Sequence, residues 1–256
     1  KTNRSVQDKS RSKKTLSTIH MQAGRSIDTI FEVEGGISNY SLSKDGKSMY
    51  VITSEWSKEF KNIEDKNSEP MYYENLPFRF DTRGIIYNKR SHVYKVNIQT
   101  KKFTKIVDGD AKDIISIESL VEGDKGLVLS FDQYNSKGTM LEEKIGAIEG
   151  SKIKEIYSQG SMGNLFYYED GLHAVGMRKR FDWPTNTTVL KISNTGKVSY
   201  KYHSFDRNIV KAEVNEAILY FLYEDSGKTL LRDGTNNVDL INSEITIKDF
   251  AFNNEQ

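Results

Sequence analysis

The feature that most constrains the fold of this chain is a short hairpin pattern that recurs along it. Residues 40–52 place two β-favouring runs on either side of Asp45 and Gly46. An Asp-Gly pair between such runs is a strong hairpin signal, because glycine adopts a positive φ angle without steric cost. Weaker copies follow, with turn centres that lie 45 and 46 residues apart between Lys125 and Glu216.

A period of about 40–45 residues with four predicted strands each is typical of β-propeller blades. Such a blade buries its apolar faces only by stacking on its neighbours, so blades come in rings. A β-sandwich with irregular hairpins would explain the strands but not their even spacing. We therefore predict an all-β chain of four-stranded antiparallel blades that forms a partial ring of about five blades.

Glycine-rich and polar breaks between the strand groups give the predicted boundaries. We expect a single β-propeller portion over 1–256, with a partial first blade at 1–33, a blade at 34–109 carrying a charged insertion at 54–91, blades at 110–158, 159–203 and 204–242, and the start of a further blade at 243–256. Within these units we expect a loop over 1–14, one helical turn within 57–63, and a strand over 245–252. Because the pattern begins and ends within a blade, we expect the chain to be part of a longer polypeptide.

Composition narrows the classes of partner. Lys plus Arg number 37 and Asp plus Glu number 36, so the net charge is close to zero. It gives no long-range attraction to nucleic acid or to an anionic membrane. No apolar run approaches the roughly 20 residues of a membrane span. The absence of cysteine excludes disulfides and thiolate metal sites and favours a reducing compartment, so we expect a cytoplasmic protein with neither nucleic-acid nor membrane partners.

No catalytic constellation is evident. The four histidines are not at metal-ligand spacing and form no HExxH motif, so we interpret them as ordinary sheet or surface residues. The stretch 159–163 lacks the Gly-x-Ser-x-Gly register of a nucleophile elbow, and no paired carboxylates can be placed. We predict no catalytic residue, no metal and no cofactor in this chain.

The most distinctive stretch is 76–94, in which Arg79 and Arg83 flank Asp81 among aromatic residues. An arginine in such a setting binds a carboxylate, so we predict Arg79, Asp81 and Arg83 as substrate-binding residues. The alternative is that these residues form ion pairs that pin the insertion to the ring. A second basic segment with aromatics, at 178–183, is predicted to form a rim loop.

Residues 40–52, 76–94 and 96–110 resemble the N-terminal propeller of the prolyl oligopeptidase family of serine peptidases, in its acylaminoacyl peptidase branch. The turn at 43–47, Ser-Lys-Asp-Gly-Lys, is similar to the turn that begins blades in that family. The phrase at 76–84, Leu-Pro-Phe-Arg-Phe-Asp-Thr-Arg-Gly, followed by Arg-Ser-His-Val-Tyr at 90–94, is similar to the phrases of this branch. Thr82 stands where the branch has glycine.

The resemblance implies a seven-bladed propeller followed by a C-terminal α/β-hydrolase domain that holds a Ser-Asp-His triad. No triad residue maps onto these 256 residues, so the chain alone is expected to be inert. The implied role is to gate the access of peptide substrates to the hydrolase of an intracellular exopeptidase or oligopeptidase, and homo-oligomerisation is left open. The alternatives are a non-catalytic binding propeller and a propeller lactonase with metal-binding carboxylates around its central channel.

Overall fold

A computed structural model describes residues 2–5, 15–23, 26–61, 72–76, 79–80, 84–169, 171–179, 186–202, 205–241 and 246–252. Almost all regular structure in this part of the chain is β-strand, and each of its two helices is a single turn. Neither helix has the length or apolar character needed to cross a bilayer. The described residues therefore form an all-β architecture, as the repeat predicts.

The described elements follow one another as short strands with tight connections. In chain order they are β1 (Thr2–Ser5), β2 (Thr15–Ala23), β3 (Ser26–Glu34), β4 (Gly36–Leu42), β5 (Ser48–Trp56), α1 (Lys58–Lys61), β6 (Arg79–Phe80), β7 (Gly84–Ile85), β8 (Lys89–Asn97), β9 (Phe103–Val107), α2 (Gly109–Lys112), β10 (Ile114–Gly123), β11 (Gly126–Tyr134), β12 (Leu141–Glu149), β13 (Lys152–Tyr157), β14 (Ser161–Tyr168), β15 (Gly171–Met177), β16 (Thr188–Ile192), β17 (Val198–Tyr200), β18 (Ile209–Asn215), β19 (Ile218–Asp225), β20 (Lys228–Asp233) and β21 (Val238–Asp239).

Four sheets of four strands repeat the same meander. Their orders are β4-β5-β8-β9, β10-β11-β12-β13, β14-β15-β16-β17 and β18-β19-β20-β21, and a three-stranded sheet β1-β2-β3 precedes them. This repetition of four-stranded units is the blade pattern that the sequence spacing predicts. β5 reaches Trp56 and β8 begins at Lys89, so strand pairing continues into both ends of the predicted insertion.

The Asp-Gly turn joins β4 to β5 as predicted. Ser43 Oγ donates a hydrogen bond to Asp45 Oδ1 at 2.6 Å, and the Lys47 amide donates to the same oxygen at 3.0 Å. The Ser43 hydrogen bond is the main reason that the pKa of Asp45 is lowered. Gly46 adopts a φ of +67°, which explains why glycine follows the aspartate.

The N-terminal strand corrects the expectation of a loop over 1–14. β1 pairs antiparallel with β2, with Thr2 opposite Thr18 and Ser5 opposite Thr15. The sequence of β1, Thr-Asn-Arg-Ser, contains no apolar residue, so hydrophobic alternation gives no signal there. The strand exists because the edge of β2 offers unpaired backbone groups. Residues 6–14 lie outside the described part of the chain.

The strand expected over 245–252 is absent from its described portion, 246–252. The Ile247 amide donates a backbone hydrogen bond to Thr229 O at 3.0 Å, and Lys211 Nζ donates to Asp249 Oδ1 at 2.5 Å. These contacts hold the segment near β18 and β20 without forming a ladder. Residues 242–245, including Ile245, lie outside the described residues.

One predicted helical turn is present and one was missed. α1 falls within the predicted 57–63 range. α2 was not predicted: Asp108 caps its first turn by accepting from the Asp110 amide, and Asp113 ends it with a left-handed φ of 53°.

The chain divides into two compact units. The first contains residues Lys1–Ile117, Phe131–Glu142 and Glu149–Lys152, and the second contains the remainder. In the first unit, Ile19 and Phe31 of the three-stranded sheet pack against Met49 and Val51 of the next sheet. A smaller cluster in this unit consists of Ile86, Ile115, Tyr134 and Leu141.

The second unit shows the same stacking of consecutive sheets. Phe166 and Val175 pack against Leu219 and Phe221 of the following sheet. A further cluster joins Val128 and Ile145 to Leu165, Leu172, Leu190 and their neighbours. Apolar faces are thus buried between successive four-stranded sheets, as in propeller blades.

Candidate functional site at the insertion rim

The chain leaves its sheet after β5 and returns to it at β8, and the amides of residues 57 and 58 form hydrogen bonds at this crossing. The Ser57 amide donates to Asn88 O at 3.0 Å, and the Lys58 amide donates to Asp110 Oδ1 at 3.1 Å. We call the surface formed by residues 57–61, 72–76, 79–80, 84–88, 108–113 and 135–140 the insertion rim. All of these residues belong to the first unit.

A cluster of aromatic rings surrounds Tyr87 in the insertion rim. The ring of Tyr87 lies 6.1 Å from Phe60, 5.5 Å from Tyr73 and 6.4 Å from Tyr134, measured between centroids. Burial raises the pKa of Tyr87 and raises that of Tyr134 to about 12. Both phenols therefore stay neutral near neutral pH, and the cluster acts as a small apolar core for the insertion.

Arg90 fixes the base of this cluster. Its guanidinium Nη2 lies 2.7 Å from Asp113 Oδ1, and Nη1 donates to Tyr87 O at 2.5 Å. Arg90 is buried, whereas the Asp113 side chain is 48% exposed, so solvent screens the ion pair on one side only. The two terminal nitrogens of the guanidinium thus link Tyr87, in the insertion, to Asp113 at the end of α2.

The extended segment 72–76 is attached to the loop between β11 and β12. The Leu76 amide donates to Gly138 O at 2.7 Å. Gly138 has a φ of +65°, a left-handed conformation that favours glycine, and a Cβ there would also displace the Asn75 side chain, whose Oδ1 would lie 1.9 Å away. The side chains of Tyr72 and Leu76 remain exposed, at 80% and 56%. The segment thus presents exposed apolar groups, and its backbone is hydrogen-bonded at Leu76.

His92 connects the sheet to α2. It lies on β8 opposite Thr53 and is 1% exposed. Its Nδ1 accepts a hydrogen bond from the Gly109 amide at 3.1 Å, so that nitrogen carries no proton. The same Nδ1 lies 3.3 Å from Asp108 Oδ1. Asp108 in turn lies 3.7 Å from Lys58 Nζ, which brings α1 into the group.

Glu55 supplies a second carboxylate on the same face of the sheet. Its Oε1 accepts from Thr53 Oγ1 at 2.8 Å and from the Tyr94 hydroxyl at 2.9 Å. Lys105 Nζ lies 4.0 Å from Glu55 Oε2 and 5.3 Å from the centre of the Tyr94 ring. Burial and the Glu55 charge raise the pKa of Tyr94, so its hydroxyl remains a donor.

These surroundings move the pKa values of His92 and Asp108. Burial lowers the pKa of His92 below its ordinary 6.5, although the nearby carboxylates act to raise it. Burial acts to raise the pKa of Asp108, but Lys105, His92, Lys58 and the hydrogen bond from the Asp110 amide together outweigh it and leave that pKa lowered. At neutral pH the group therefore holds a neutral imidazole beside an ionised carboxylate.

Among the described residues, one set of potential metal ligands comes together. The donor atoms of His92, Asp108 and Asp110 lie within 4.8 Å of one another. The His92 Nδ1 lone pair already accepts an amide, Asp110 Oδ1 accepts the Lys58 amide, and Lys58 Nζ lies 3.7 Å from Asp108 Oδ2. Each of the three residues therefore already has at least one hydrogen-bond or charge partner within the chain.

The predicted substrate-binding residues are only partly described. Arg79 lies in β6 opposite Ile85 and is exposed. Asp81 and Arg83 lie outside the described residues, so the grouping of Arg79 with Asp81 and Arg83 stays a prediction. Arg79 lies in the same rim as the aromatic cluster and the segment 72–76.

Sequence reasoning treated His92 as an ordinary sheet residue and missed its link to α2. A usable signal was the sequence Asp108-Gly109-Asp110 directly after a strand, which is typical of a capped helical turn. The proximity of His92 to this turn depends on the pairing of β8 with β9, in which Val93 lies opposite Val107.

The basic loop predicted at 178–183 is described only at its start. Arg178 lies over the Tyr200 ring, 5.4 Å from its centre, and its carbonyl accepts from the Tyr157 hydroxyl. Residues 180–185 lie outside the described part of the chain. The contacts of Arg178 belong to packing within the second unit.

Comparison with known proteins shows the fold. No family model and no curated protein matches the sequence. The chain is similar to a solved structure of the acylaminoacyl peptidase of Pyrococcus horikoshii, with a TM-score of 0.61 and 11% identity over 86% of this chain and 35% of that one. The chain therefore spans about a third of the length of that peptidase.

Two further solved structures are similar. The β-propeller domain of the Trilobed protease from Pyrococcus furiosus matches with a TM-score of 0.52 and 10% identity, over 82% of this chain and 56% of that one. TolB from Acinetobacter baumannii matches with a TM-score of 0.52 and 11% identity, over 88% of this chain and 48% of that one. These likenesses confirm the predicted blade architecture and the resemblance to peptidase propellers at the level of fold.

Proposed function

We propose that the chain is the propeller portion of a serine exopeptidase or oligopeptidase of the acylaminoacyl peptidase kind. In this proposal the propeller gates peptide access to a C-terminal α/β-hydrolase domain that lies outside these 256 residues. The observation that carries the proposal is the fold likeness to an acylaminoacyl peptidase over 86% of the chain. The phrase at 76–94 that resembles the same branch of peptidases supports it independently of the fold.

In this proposal the peptide contacts the exposed apolar and basic side chains of the insertion rim. Tyr72 and Leu76 offer exposed apolar area on a segment that the Gly138 contact holds in place. Arg79 offers an exposed guanidinium that can pair with a peptide carboxylate. We include Asp81 and Arg83 in this site as predicted neighbours of Arg79. Because the Leu76 hydrogen bond restricts the segment before binding, it lowers the ordering entropy that binding costs.

A substitution of Arg79 in the parent protein tests this role. With Arg79→Ala, KM for a blocked peptide with a free C-terminal carboxylate should rise about tenfold, equivalent to about 1.4 kcal/mol. KM for a small chromogenic ester without a carboxylate should not change. Arg207→Ala is the matched control, since Arg207 is an exposed arginine of the second unit paired with Asp225. An equal effect of both variants would contradict the assignment of Arg79.

The gating proposal also predicts the behaviour of the isolated chain. The 256 residues alone should not hydrolyse a blocked aminoacyl chromogenic substrate, because no triad residue maps onto them. In the parent, the catalytic efficiency should fall steeply with peptide length, since a rim gate acts as a size filter. Hydrolysis of a folded protein substrate at the rate of a short peptide would contradict gating.

A second candidate is a propeller that binds other molecules without a hydrolase, because a repeat of four-stranded units is common to both kinds of protein. The coding sequence downstream of Gln256 separates the two candidates. A Gly-x-Ser-x-Gly between a predicted strand and a predicted helix supports the peptidase, and its absence supports the binding module. For either candidate we propose a cytoplasmic location, on the basis of the cysteine-free sequence.

A further inference from the structure

The sheet β1-β2-β3 of the first unit has one strand fewer than the sheets that follow it. Four sheets of the described chain have four strands each, whereas this sheet has three. Within the described residues, β1 pairs with β2, and its other edge has no partner strand. Such an edge presents unpaired amide and carbonyl groups. The three-stranded sheet therefore has a backbone edge that can accept one more strand.

Aromatic contacts show which strands of the next sheet this three-stranded sheet covers. Phe31, on β3, lies 5.3 Å from the Tyr94 ring of β8 and 5.3 Å from the Phe103 ring of β9, measured between centroids. The last strand of one sheet thus lies over the third and fourth strands of the sheet β4-β5-β8-β9. Because strands are evenly spaced within a sheet, β2 and β1 extend toward β5, and no described strand remains to cover β4.

Two apolar side chains on β4 lie under this empty position. Tyr40 is opposite Val51 and Leu42 is opposite Met49 in the antiparallel pair β4-β5, so each pair of side chains shares a face of the sheet. Met49 and Val51 are buried against the three-stranded sheet. Tyr40 and Leu42 lie on that same face but are 52% and 59% exposed. Ile37, at the start of β4, is buried, so the uncovered surface is the second half of this strand.

We propose that the free edge of β1 and the side chains of Tyr40 and Leu42 dock an extended strand of the parent polypeptide from outside residues 1–256. The strand pairs antiparallel with β1, as β4 pairs with β5. It carries apolar side chains at alternate positions, and these cover Tyr40 and Leu42. The proposal holds for a peptidase and for a binding propeller alike, so its failure would leave the proposed function untouched.

The source of the strand follows from the other sheets and from the sequence of β1. Each four-stranded sheet takes its first strand from this same chain. Pairing between the β1 strands of two copies would bring no apolar side chain to Tyr40 and Leu42, because Thr-Asn-Arg-Ser contains none. A separate peptide would lose translational and rotational freedom on binding, which a segment of the same polypeptide does not. A strand of the parent is therefore the favoured occupant.

Solvent labelling of Tyr40 in the 256-residue chain and in the parent tests the docking. Hydroxyl-radical oxidation, read by mass spectrometry, should be about fivefold slower at Tyr40 in the parent, because the docked strand covers most of its exposed area. Phe103 is the matched control, since it lies on the opposite edge strand β9 and is 54% exposed, and it should react equally in both proteins. Equal rates at Tyr40 in the two proteins, or an equal fall at Phe103, would overturn the proposal.

Two variants of Tyr40 give a second measurement. Tyr40→Ser removes the apolar contact with the docked strand, so the Tm of the propeller in the parent should fall by about 4 °C. In the 256-residue chain the fall should be less than about 2 °C, because Tyr40 is already half exposed there. Tyr40→Phe keeps the ring and should leave both Tm values within about 1 °C of the wild type. A fall on Tyr40→Ser that is equal in the two proteins would contradict docking.

The same labelling identifies the occupant. Protection of Tyr40 in the parent that is independent of protein concentration supports a strand of the same polypeptide. Protection that grows with the concentration of the 256-residue chain, together with a dimer in sedimentation, would assign the surface to a second copy and overturn the proposal. Protection of the parent that requires an added synthetic peptide of alternating valine and threonine would assign it to a separate peptide and overturn it as well.

Discussion

His92 and His173 are buried to the same degree, at 1% and 0% exposed, but their hydrogen bonds run in opposite directions. His92 Nδ1 accepts the Gly109 amide and faces carboxylates. His173 Nδ1 lies 3.0 Å from the carbonyl of Gly171, so it donates. Burial alone therefore does not decide what a histidine does, since the partner of one nitrogen fixes the tautomer and the role.

The surroundings of His173 are aromatic rather than charged. Its ring stacks on Phe166 at 5.7 Å and meets the edge of Tyr168 at 5.7 Å. Its Nε2 is buried without a hydrogen-bond partner among the described residues. No helix of the described chain is tied to it. We interpret His173 as a packing residue of its blade and His92 as a connection between blade and rim.

The largest expected difference is in packing energy. His173→Ala should lower the free energy of unfolding by about 3–4 kcal/mol, because it removes a stacked ring from a closed core. His92→Ala should cost about 2 kcal/mol, because water can enter from the rim and replace its hydrogen bonds. Urea unfolding at neutral pH measures both. The exposed His20→Ala should stay within about 0.5 kcal/mol of the wild type. Equal losses for the two buried histidines would break the comparison.

The next effect is the pH dependence of stability. Burial lowers the pKa of both His92 and His173, so each contributes stability that is complete above its ordinary 6.5 and is lost as the pH falls below it. Between about pH 7.5 and about pH 5.5 each should cost up to about 1.4 kcal/mol. Asp108 acts in a separate window: its lowered pKa gives stability that is lost only below about pH 4.

Unfolding curves of His92→Gln and His173→Gln at the two pH values check this prediction. Each variant should lose one histidine's share of the pH dependence, whatever its absolute stability. The double variant should show almost no change over this range. If a single variant retained the full wild-type change in the free energy of unfolding with pH, its histidine would have the same pKa in the folded and unfolded states.

The smallest expected effects come from removing the hydroxyl groups of two buried threonines. Thr53, opposite His92, donates to Glu55, so Thr53→Val should cost about 1 kcal/mol. Thr188 Oγ1, in the blade of His173, is buried with no partner among the described residues, so Thr188→Val should be neutral or stabilising by up to about 1 kcal/mol. The midpoints of urea unfolding measure both. A loss on Thr188→Val as large as that on Thr53→Val would show that the Thr188 hydroxyl is satisfied.

Much of the blade pattern was predictable because its signals are local. The hairpin across Asp45 and Gly46 and the four-stranded units occur as the sequence predicts, since strand runs and turn residues mark them locally. The strand Thr2–Ser5 was not predictable, because it has no apolar pattern and depends on the edge of another strand. Of the predicted site, Arg79 is described as exposed, and its grouping with Asp81 and Arg83 stays a prediction.

The sequence alone determined the repeat, the Asp45-Gly46 hairpin and the four-stranded units, because each arises from residues that are neighbours in the chain. The tertiary structure alone decided that His92 meets Gly109 and that Leu76 meets Gly138. These contacts join segments separated by 17 and 62 residues, and no periodicity encodes them. They depend on how sheets stack and how an insertion folds back, which is settled by burial of apolar surface over the whole unit.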